Sequence, residues 1–202
     1  RGEIPRGIYE VDVEKNIFKK THVPDVWVIE AVLSPDGSKL AYTTASDMLP
    51  LDLDSRHPQM IVITDLTNFH TEKVVLPDKN ADYRNLKWSP DGEYIGYVKV
   101  APNRLNGSNS IMIVDVNSYK EQKTVVESKE GDFLTLDLWI SNSKLVYQEE
   151  IANTVYQKGT IIYRDGKNYT NRSDLKSISI DGCSQTIIDT VIESNFNVIG
   201  VF

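Results

Sequence analysis

The sequence contains a single cysteine, Cys183, so no disulfide can form within the chain. No run approaches the roughly 18 apolar residues of a membrane-spanning helix, and helical periodicity is almost absent. The apolar runs are short, β-branched and alternating, and Gly, Pro, Asn and Asp bound them. This pattern is typical of strands. We therefore predict an all-β protein with no direct membrane insertion in this segment.

Sequence signatures of catalysis are also missing. There is no GxSxG, no P-loop, no GxGxxG and no HExxH. The histidines, His22, His57 and His70, are scattered without partners at ligand spacing. Glu149 and Glu150 are adjacent, so on a strand they point to opposite faces and form no acid/base pair. We predict no catalytic residue, no metal site and no cofactor.

The charge balance argues against an anionic partner. The 202 residues carry a net charge of −7, with a pI near 5.0, which disfavours nucleic acid as a ligand. With 40% hydrophobic and 25% charged residues the composition is globular, and we treat 1–202 as a single domain. Because the chain begins at Arg1 and ends in an apolar run at Phe202, we interpret it as an excerpt of a longer chain or a processed product.

One phrase occurs twice, at 34–37 and at 89–92, as Ser-Pro-Asp-Gly followed by a strand pattern. Proline presets φ for a turn, aspartate caps locally and glycine accepts positive φ, so the phrase predicts a tight reversal between two strands. In a third copy, 141–144, Asn142 falls where a left-handed residue is wanted. The residues assigned to structural turns are Pro35, Asp36, Gly37, Pro90, Asp91, Gly92 and Asn142.

The phrase belongs to a long internal period. The apolar triplets that follow the turn begin at 40, 95, 145 and 199, so their spacings are 55, 50 and 54. A second column of strands ends in aspartate at 12, 65, 115 and 181. Each unit then reads as four antiparallel strands joined by hairpins. The predicted units are 29–84, 85–137 and 138–190, with 1–28 and 191–202 as partial blades.

The residues at 88–97 and 111–116 resemble the WD40-like "PD40" repeat of TolB-type β-propellers, and 34–42 with 61–65 is a second match. The resemblance implies a β-propeller of four-stranded antiparallel blades, with about four blades visible. TolB-type proteins imply six or more blades, which favours an excerpt of a larger propeller over a four-bladed ring closed by its termini. It also implies an extracytoplasmic location, in the periplasm, the envelope or at the cell surface.

Three long segments occupy the same place in the repeat, between the second and third strands: 44–59, 101–110 and 149–175. Loops longer than a connection requires often carry function, so we predict that they form a partner-binding surface on one rim. Arg164–Lys167 suggests an added hairpin in the third. We interpret the aspartates of the first as a solvated acidic loop rather than a Ca²⁺ site. The candidate binding residues are Asp47, Asp52, Asp54, Arg56, Arg104 and Arg164.

Trp27, Trp88 and Trp139 recur near the predicted start of the first strand of each unit. We interpret them as core packing between blades rather than as ligand-stacking residues.

Two functions of different classes follow. The first is a non-catalytic propeller scaffold that binds a protein partner through its long loops at the cell envelope or surface. The alternative is the substrate-gating propeller of a dipeptidyl-peptidase or prolyl-oligopeptidase-type serine peptidase, with its catalytic domain outside this chain. A carbohydrate-active or Ca²⁺-binding propeller is a third possibility.

Overall fold

The computed structural model describes residues 8–20, 28–45, 58–101, 108–119, 122–129, 132–151, 154–157, 160–163 and 172–192. Their helices and strands are sixteen β-strands and no α-helix. Within these ranges we find no helix long and apolar enough to cross a membrane.

Three four-stranded antiparallel sheets contain most of these strands. Sheet 1 consists of β3 (Val28–Leu33), β4 (Lys39–Ala45), β5 (Gln59–Asp65) and β6 (Thr71–Asp78). Sheet 2 consists of β7 (Asp82–Trp88), β8 (Tyr94–Val100), β9 (Asn109–Asp115) and β10 (Gln122–Glu127). Sheet 3 consists of β11 (Phe133–Ser141), β12 (Lys144–Ile151), β15 (Arg172–Ser179) and β16 (Gln185–Ile192). Within each sheet the strands lie in chain order.

Two hairpins complete the described strands. Hairpin A pairs β1 (Tyr9–Asp12) with β2 (Ile17–Lys20), and hairpin B pairs β13 (Thr154–Gln157) with β14 (Thr160–Tyr163). Hairpin B is inserted between the second and third strands of sheet 3, where a hairpin was predicted. Its two strands precede the Arg164–Lys167 sequence that suggested it, and that sequence lies outside the described residues.

The sheets pack face to face through their first strands. β7 contacts β3, β4 and β5 of sheet 1, and β11 contacts β7, β8 and β9 of sheet 2. One apolar cluster fills the space between sheets 1 and 2, and a second fills the space between sheets 2 and 3. A smaller cluster lies where Ile8 meets the other face of sheet 1. Successive four-stranded blades of this kind form a β-propeller, which confirms the predicted fold class.

The predicted unit boundaries at 84/85 and 137/138 lie inside β7 and β11 rather than between sheets. Each of these strands has a β-bulge there, because the pairing register shifts between Arg84 and Lys87 and again between Leu136 and Leu138. β3 has a corresponding shift between Val28 and Glu30. The boundaries follow from the internal period, which gives the length of a unit but not the residue at which its first strand begins.

The Ser-Pro-Asp-Gly turns owe their shape to side-chain hydrogen bonds. In the first copy the buried Ser34 donates its hydroxyl to Asp36 Oδ1 at 2.6 Å and accepts from the Lys39 amide at 2.9 Å. Gly37 has a φ of 73° and donates its amide to the Ser34 carbonyl at 2.9 Å. The second copy repeats this arrangement around Ser89, with Ser89 Oγ 2.5 Å from Asp91 Oδ1. The serines are therefore turn residues.

The third sheet uses this turn at a different place. Between β15 and β16, Ser179 donates its hydroxyl to Asp181, and Gly182 has a φ of 79°. Between β11 and β12 only two residues separate the strands, and Asn142 does not have positive φ there. The prediction of a left-handed conformation for Asn142 is therefore wrong, because the connection is too short to contain the Ser-x-Asp-Gly arrangement.

The two described tryptophans that recur in the repeat lie near the ends of first strands, not near their starts. Trp88 is the last residue of β7, and Trp139 is near the end of β11. Trp88 donates its indole N–H to the Val32 carbonyl, and Trp139 donates to the Lys87 carbonyl, each at 3.1 Å. Each indole thus joins its sheet to the preceding one. Trp27 lies outside the described residues.

Candidate binding surface on the loop-bearing edge

Each sheet has two edges along its strand ends, and they differ in what they carry. At one edge, the turn-bearing edge, short turns join the first strand to the second and the third to the fourth. At the other, the loop-bearing edge, the second strand ends and the third begins: Ala45 and Gln59 in sheet 1, Val100 and Asn109 in sheet 2. Sheet 3 is arranged in the same way, with hairpin B in the connection.

All six predicted binding residues lie outside the described residues. They are Asp47, Asp52, Asp54, Arg56, Arg104 and Arg164. The described strands do show where the three long loops begin and end. All three leave from the same edge of consecutive sheets.

The junction between sheets 1 and 2 is closed at the loop-bearing edge. Tyr83, which is 2% exposed, fills it and packs edge-on against Tyr97 with ring centroids 5.7 Å apart. The Tyr83 amide donates to Gln59 Oε1 at 2.7 Å, and its hydroxyl donates to the Leu76 carbonyl at 3.3 Å. Burial, with the nearby Asp78 charge, raises the pKa of Tyr83 to about 12. The hydroxyl therefore stays protonated as a donor at neutral pH.

The next junction, between sheets 2 and 3, is open at this edge. Leu134 occupies the position in sheet 3 that Tyr83 occupies in sheet 2. Leu134 pairs with Glu149 and Tyr83 pairs with Lys99, and these partners are equivalent residues of the second strands. A leucine is smaller than a tyrosine, and a groove of about 240 Å³ remains. We call it the rim groove.

Both charge and apolar surface line the rim groove. Arg84 and Glu150 supply opposite charges, and Phe133, which is 38% exposed, supplies an aromatic ring. The Arg84 guanidinium forms an ion pair with Asp82 at 3.5 Å. The Arg84 side chain is still 41% exposed. Aromatic and arginine side chains of this kind are enriched at protein interfaces.

Buried hydrogen bonds hold the floor of the rim groove. Asn109, 4% exposed, donates its side-chain amide to the Asp132 carbonyl at 3.0 Å. Ser128 donates its hydroxyl to the same carbonyl at 3.1 Å, and this hydroxyl accepts a hydrogen bond from the backbone N–H of Asn109 at 2.8 Å. The residue that begins β9, after the second long loop, is thus anchored to the strand connection below it.

A chain of alternating charges lies across sheet 3 towards the same edge. Arg172 donates to Asp174 at 2.7 and 3.1 Å, and Lys176 lies against both Asp174 and Glu149. Asp174 is buried, while the Arg172 side chain is 48% exposed. Hydrogen bonding and the charge of Asp174 raise the pKa of Arg172. These paired charges fix the start of β15 directly after the third long connection.

No group of three or more His, Cys, Asp or Glu side chains among the described residues could hold a metal ion. His70, the one histidine in that part of the chain, is exposed and 3.0 Å from Glu72. Cys183 is exposed at the β15–β16 turn. The described surface offers a groove lined by side chains of both charges.

Sequence reasoning missed the groove-lining residues Arg84, Phe133 and Glu150. A signal existed in the repeat, since aligning Tyr83 with Leu134 shows a large residue replaced by a smaller one.

No protein-family model and no curated protein sequence matches this chain. Solved structures do match. A puromycin-hydrolysing peptidase of Mycobacterium tuberculosis matches over 84% of this chain with a TM-score of 0.56 and 14% identity. A prolyl endopeptidase matches over 91% with a TM-score of 0.57 and 17% identity. An oligogalacturonate lyase in complex with manganese matches over 91% with a TM-score of 0.52 and 13% identity.

These likenesses establish the fold alone, because the identities are low. The matched parts of the peptidases are their β-propeller domains. The chain corresponds to 24% of the mycobacterial peptidase, 26% of the prolyl endopeptidase and 58% of the lyase. Proteins of different activity thus share this arrangement of blades.

Proposed function

We propose that this chain is a non-catalytic β-propeller segment that binds a protein partner along its loop-bearing edge. The observation that carries the proposal is the placement of three long connections at one edge of consecutive sheets, beside the rim groove. Loops on a rigid scaffold are the usual place for recognition. The exposed ring of Phe133 between Arg84 and Glu150 offers an apolar anchor with charged neighbours, as interface hot spots do.

A peptide-display selection on the immobilised chain tests this proposal. Peptides selected on the wild type are assayed against Phe133→Ala and against Leu76→Ala, which removes an apolar side chain that is 67% exposed on β6. We expect Phe133→Ala to weaken binding at least tenfold and Leu76→Ala to leave it unchanged. Equal affinities for all three proteins, or no enriched peptide, would refute a recognition role for the rim groove.

The second candidate is the substrate-gating propeller of a serine peptidase. It draws support from the similarity to peptidase propeller domains. The chain spans about a quarter of the full length of those peptidases. In this case the catalytic residues belong to a part of the polypeptide outside the sequence.

The gene around this segment separates the two candidates. An open reading frame that continues into a GxSxG motif followed by Asp and His supports the peptidase, and the purified full-length product should then react with a serine-directed fluorophosphonate. A reading frame without such a motif supports the scaffold. The PD40 resemblance and the envelope location remain predictions, which cell fractionation with an antibody against this chain would test.

A further inference from the structure

A cavity at the turn-bearing edge, between hairpin A and sheet 1, has a volume of about 490 Å³. We call it the hairpin pocket. Its lining includes the apolar residues Leu33, Leu40, Leu66 and Phe69, together with Lys19. The volume falls in the range of small-molecule sites, roughly 300–1,000 Å³. The other junctions of the same chain show why this cavity is open.

The first difference is at the end of the first strand. Trp88 and Trp139 each directly cross to the preceding sheet and donate an indole N–H to its backbone. In sheet 1 the corresponding residue, directly before the Ser-Pro-Asp-Gly turn, is Leu33. Leu33 is 55% exposed, whereas Trp88 is 8% exposed. The leucine fills less space than an indole and has no side-chain N–H to donate, so among the described residues no indole occupies this junction.

The second difference is in the turn between the third and fourth strands. Tyr119 in sheet 2 and Phe69 in sheet 1 are equivalent, since both have positive φ and donate their amides to the aspartate that ends the third strand. Tyr119 packs against the cluster between sheets 1 and 2. Burial and the neighbouring Glu72 raise the pKa of Tyr119 to about 12. Phe69 is 48% exposed and presents its ring to the hairpin pocket.

The third difference is a reversal of charge. Glu72 pairs with Ile63, two residues before the end of the third strand of sheet 1. In hairpin A the residue at the same register is Lys19, opposite Glu10. Lys20 also lines the cavity.

From these replacements we propose that the hairpin pocket binds a carboxylate attached to an aliphatic or aromatic group. The apolar group enters between Leu33 and Phe69, and the carboxylate pairs with the ammonium of Lys19. Burial of such a group away from water favours binding, and a charge-assisted hydrogen bond orients it. Such a ligand is either a free carboxylic acid or the C-terminal residue of a peptide.

Titration of the full chain by ligand-observed NMR tests the proposal, with three probes. The probes are N-acetyl-phenylalanine, its C-terminal amide, and a pentapeptide that ends in phenylalanine with a free carboxylate. We expect the first probe to bind at least tenfold more tightly than the amide. A pentapeptide that binds as well as the free acid indicates a peptide terminus as the source, and one that does not bind indicates a small acid. Equal binding of acid and amide, or no binding of any probe at millimolar concentration, would overturn the proposal.

Two variants locate the site. Leu33→Trp introduces the indole that the other junctions carry and should abolish binding by filling the cavity, while its matched control Leu76→Trp should bind as the wild type does. Lys19→Glu restores the charge found at Glu72 and should weaken binding of the acid at least tenfold. Its control is Lys79→Glu, at an exposed lysine of the loop-bearing edge. If Lys19→Glu binds the acid as the wild type does, the carboxylate does not pair there and the assignment is wrong.

Discussion

Glu30 provides a sharp test of how consecutive blades are held together. Its carboxylate reaches from β3 to the bulge in β7 and accepts the backbone amides of Asn85, at 3.0 Å, and Leu86. The bulge takes these amides out of the pairing between β7 and β8. Asn85 has a φ of 54°, a left-handed conformation that few residues adopt freely. The carboxylate therefore satisfies two donors that the sheet does not.

Replacing Glu30 with alanine should destabilise the protein by about 3–4 kcal/mol. A hydrogen bond to a charged group contributes about 1.5–3 kcal/mol, and we take the lower part of that range twice because Glu30 is half-buried. Glu30→Gln keeps one acceptor oxygen and should lose about half as much. Urea unfolding measures both, and for a slope of about 2–3 kcal/mol/M the alanine variant should unfold more than about 1 M earlier.

Glu93→Ala is the control, because Glu93 is an exposed glutamate on a turn of sheet 2. Its free energy of unfolding should change by less than about 0.5 kcal/mol. Hydrogen exchange gives a local measure, since the Asn85 and Leu86 amides should exchange faster in Glu30→Ala. If Glu30→Ala and Glu93→Ala have the same stability, or if the two amides keep their protection, the bridging role is refuted.

Three further predictions concern packing and pH. Gly96→Ala should lower the free energy of unfolding by about 1–3 kcal/mol, because a Cβ there would lie 2.8 Å from the Leu136 side chain. Its matched control is the reverse substitution, Ala41→Gly, at the equivalent position of sheet 1. Hydrogen bonds lower the pKa of Asp36 from 3.8 to about 2, so its stabilising contribution is present above pH 4 and is lost as the pH falls towards 2. Thermal melts of Asp36→Asn should therefore show a weaker decline over that interval. Burial raises the pKa of Asp137, and its Oδ2 has no hydrogen-bond partner among the described residues, so stability falls as the pH rises above 3.8, and Asp137→Asn should gain about 1 kcal/mol at pH 7.

Each of the three has an outcome that would contradict it. A Gly96→Ala protein as stable as the wild type would mean that Leu136 moves away without cost. An Asp36→Asn protein whose melting temperature falls with acid as steeply as that of the wild type would remove the stabilising role of that carboxylate. A loss of stability in Asp137→Asn at pH 7 would show that the charged form is favoured in the folded state.

The repeat made much of the fold predictable from local signals. Serine, aspartate and glycine at 34–37 and 89–92 build their turns from hydrogen bonds within five residues, so no distant contact is needed to form them. Strand alternation between these turns predicted four antiparallel strands for each unit. The unit boundaries were less exact and lie inside β7 and β11, because a period gives the length of a unit but not the residue at which its first strand begins.

The candidate site was less predictable for a physical reason. The rim groove and the hairpin pocket each lie between two sheets, and each is open because a residue is smaller than its counterpart elsewhere: Leu134 against Tyr83, and Leu33 against Trp88. Such a difference acquires meaning only when the register of both sheets is known. The candidate loop residues, from Asp47 to Arg164, lie outside the described part of the chain and stay predictions.

The sequence by itself determined the all-β class, the four-stranded unit and the turns that repeat at 34–37 and 89–92, since periodicity and turn chemistry are properties of neighbouring residues. The tertiary structure alone decided which surfaces are filled and which are open. A junction between blades depends on residues some fifty positions apart, such as Glu30 with Asn85 and Trp139 with Lys87. Packing of one sheet against the next brings them together, and it leaves a groove or a pocket where one residue is too small to fill the space.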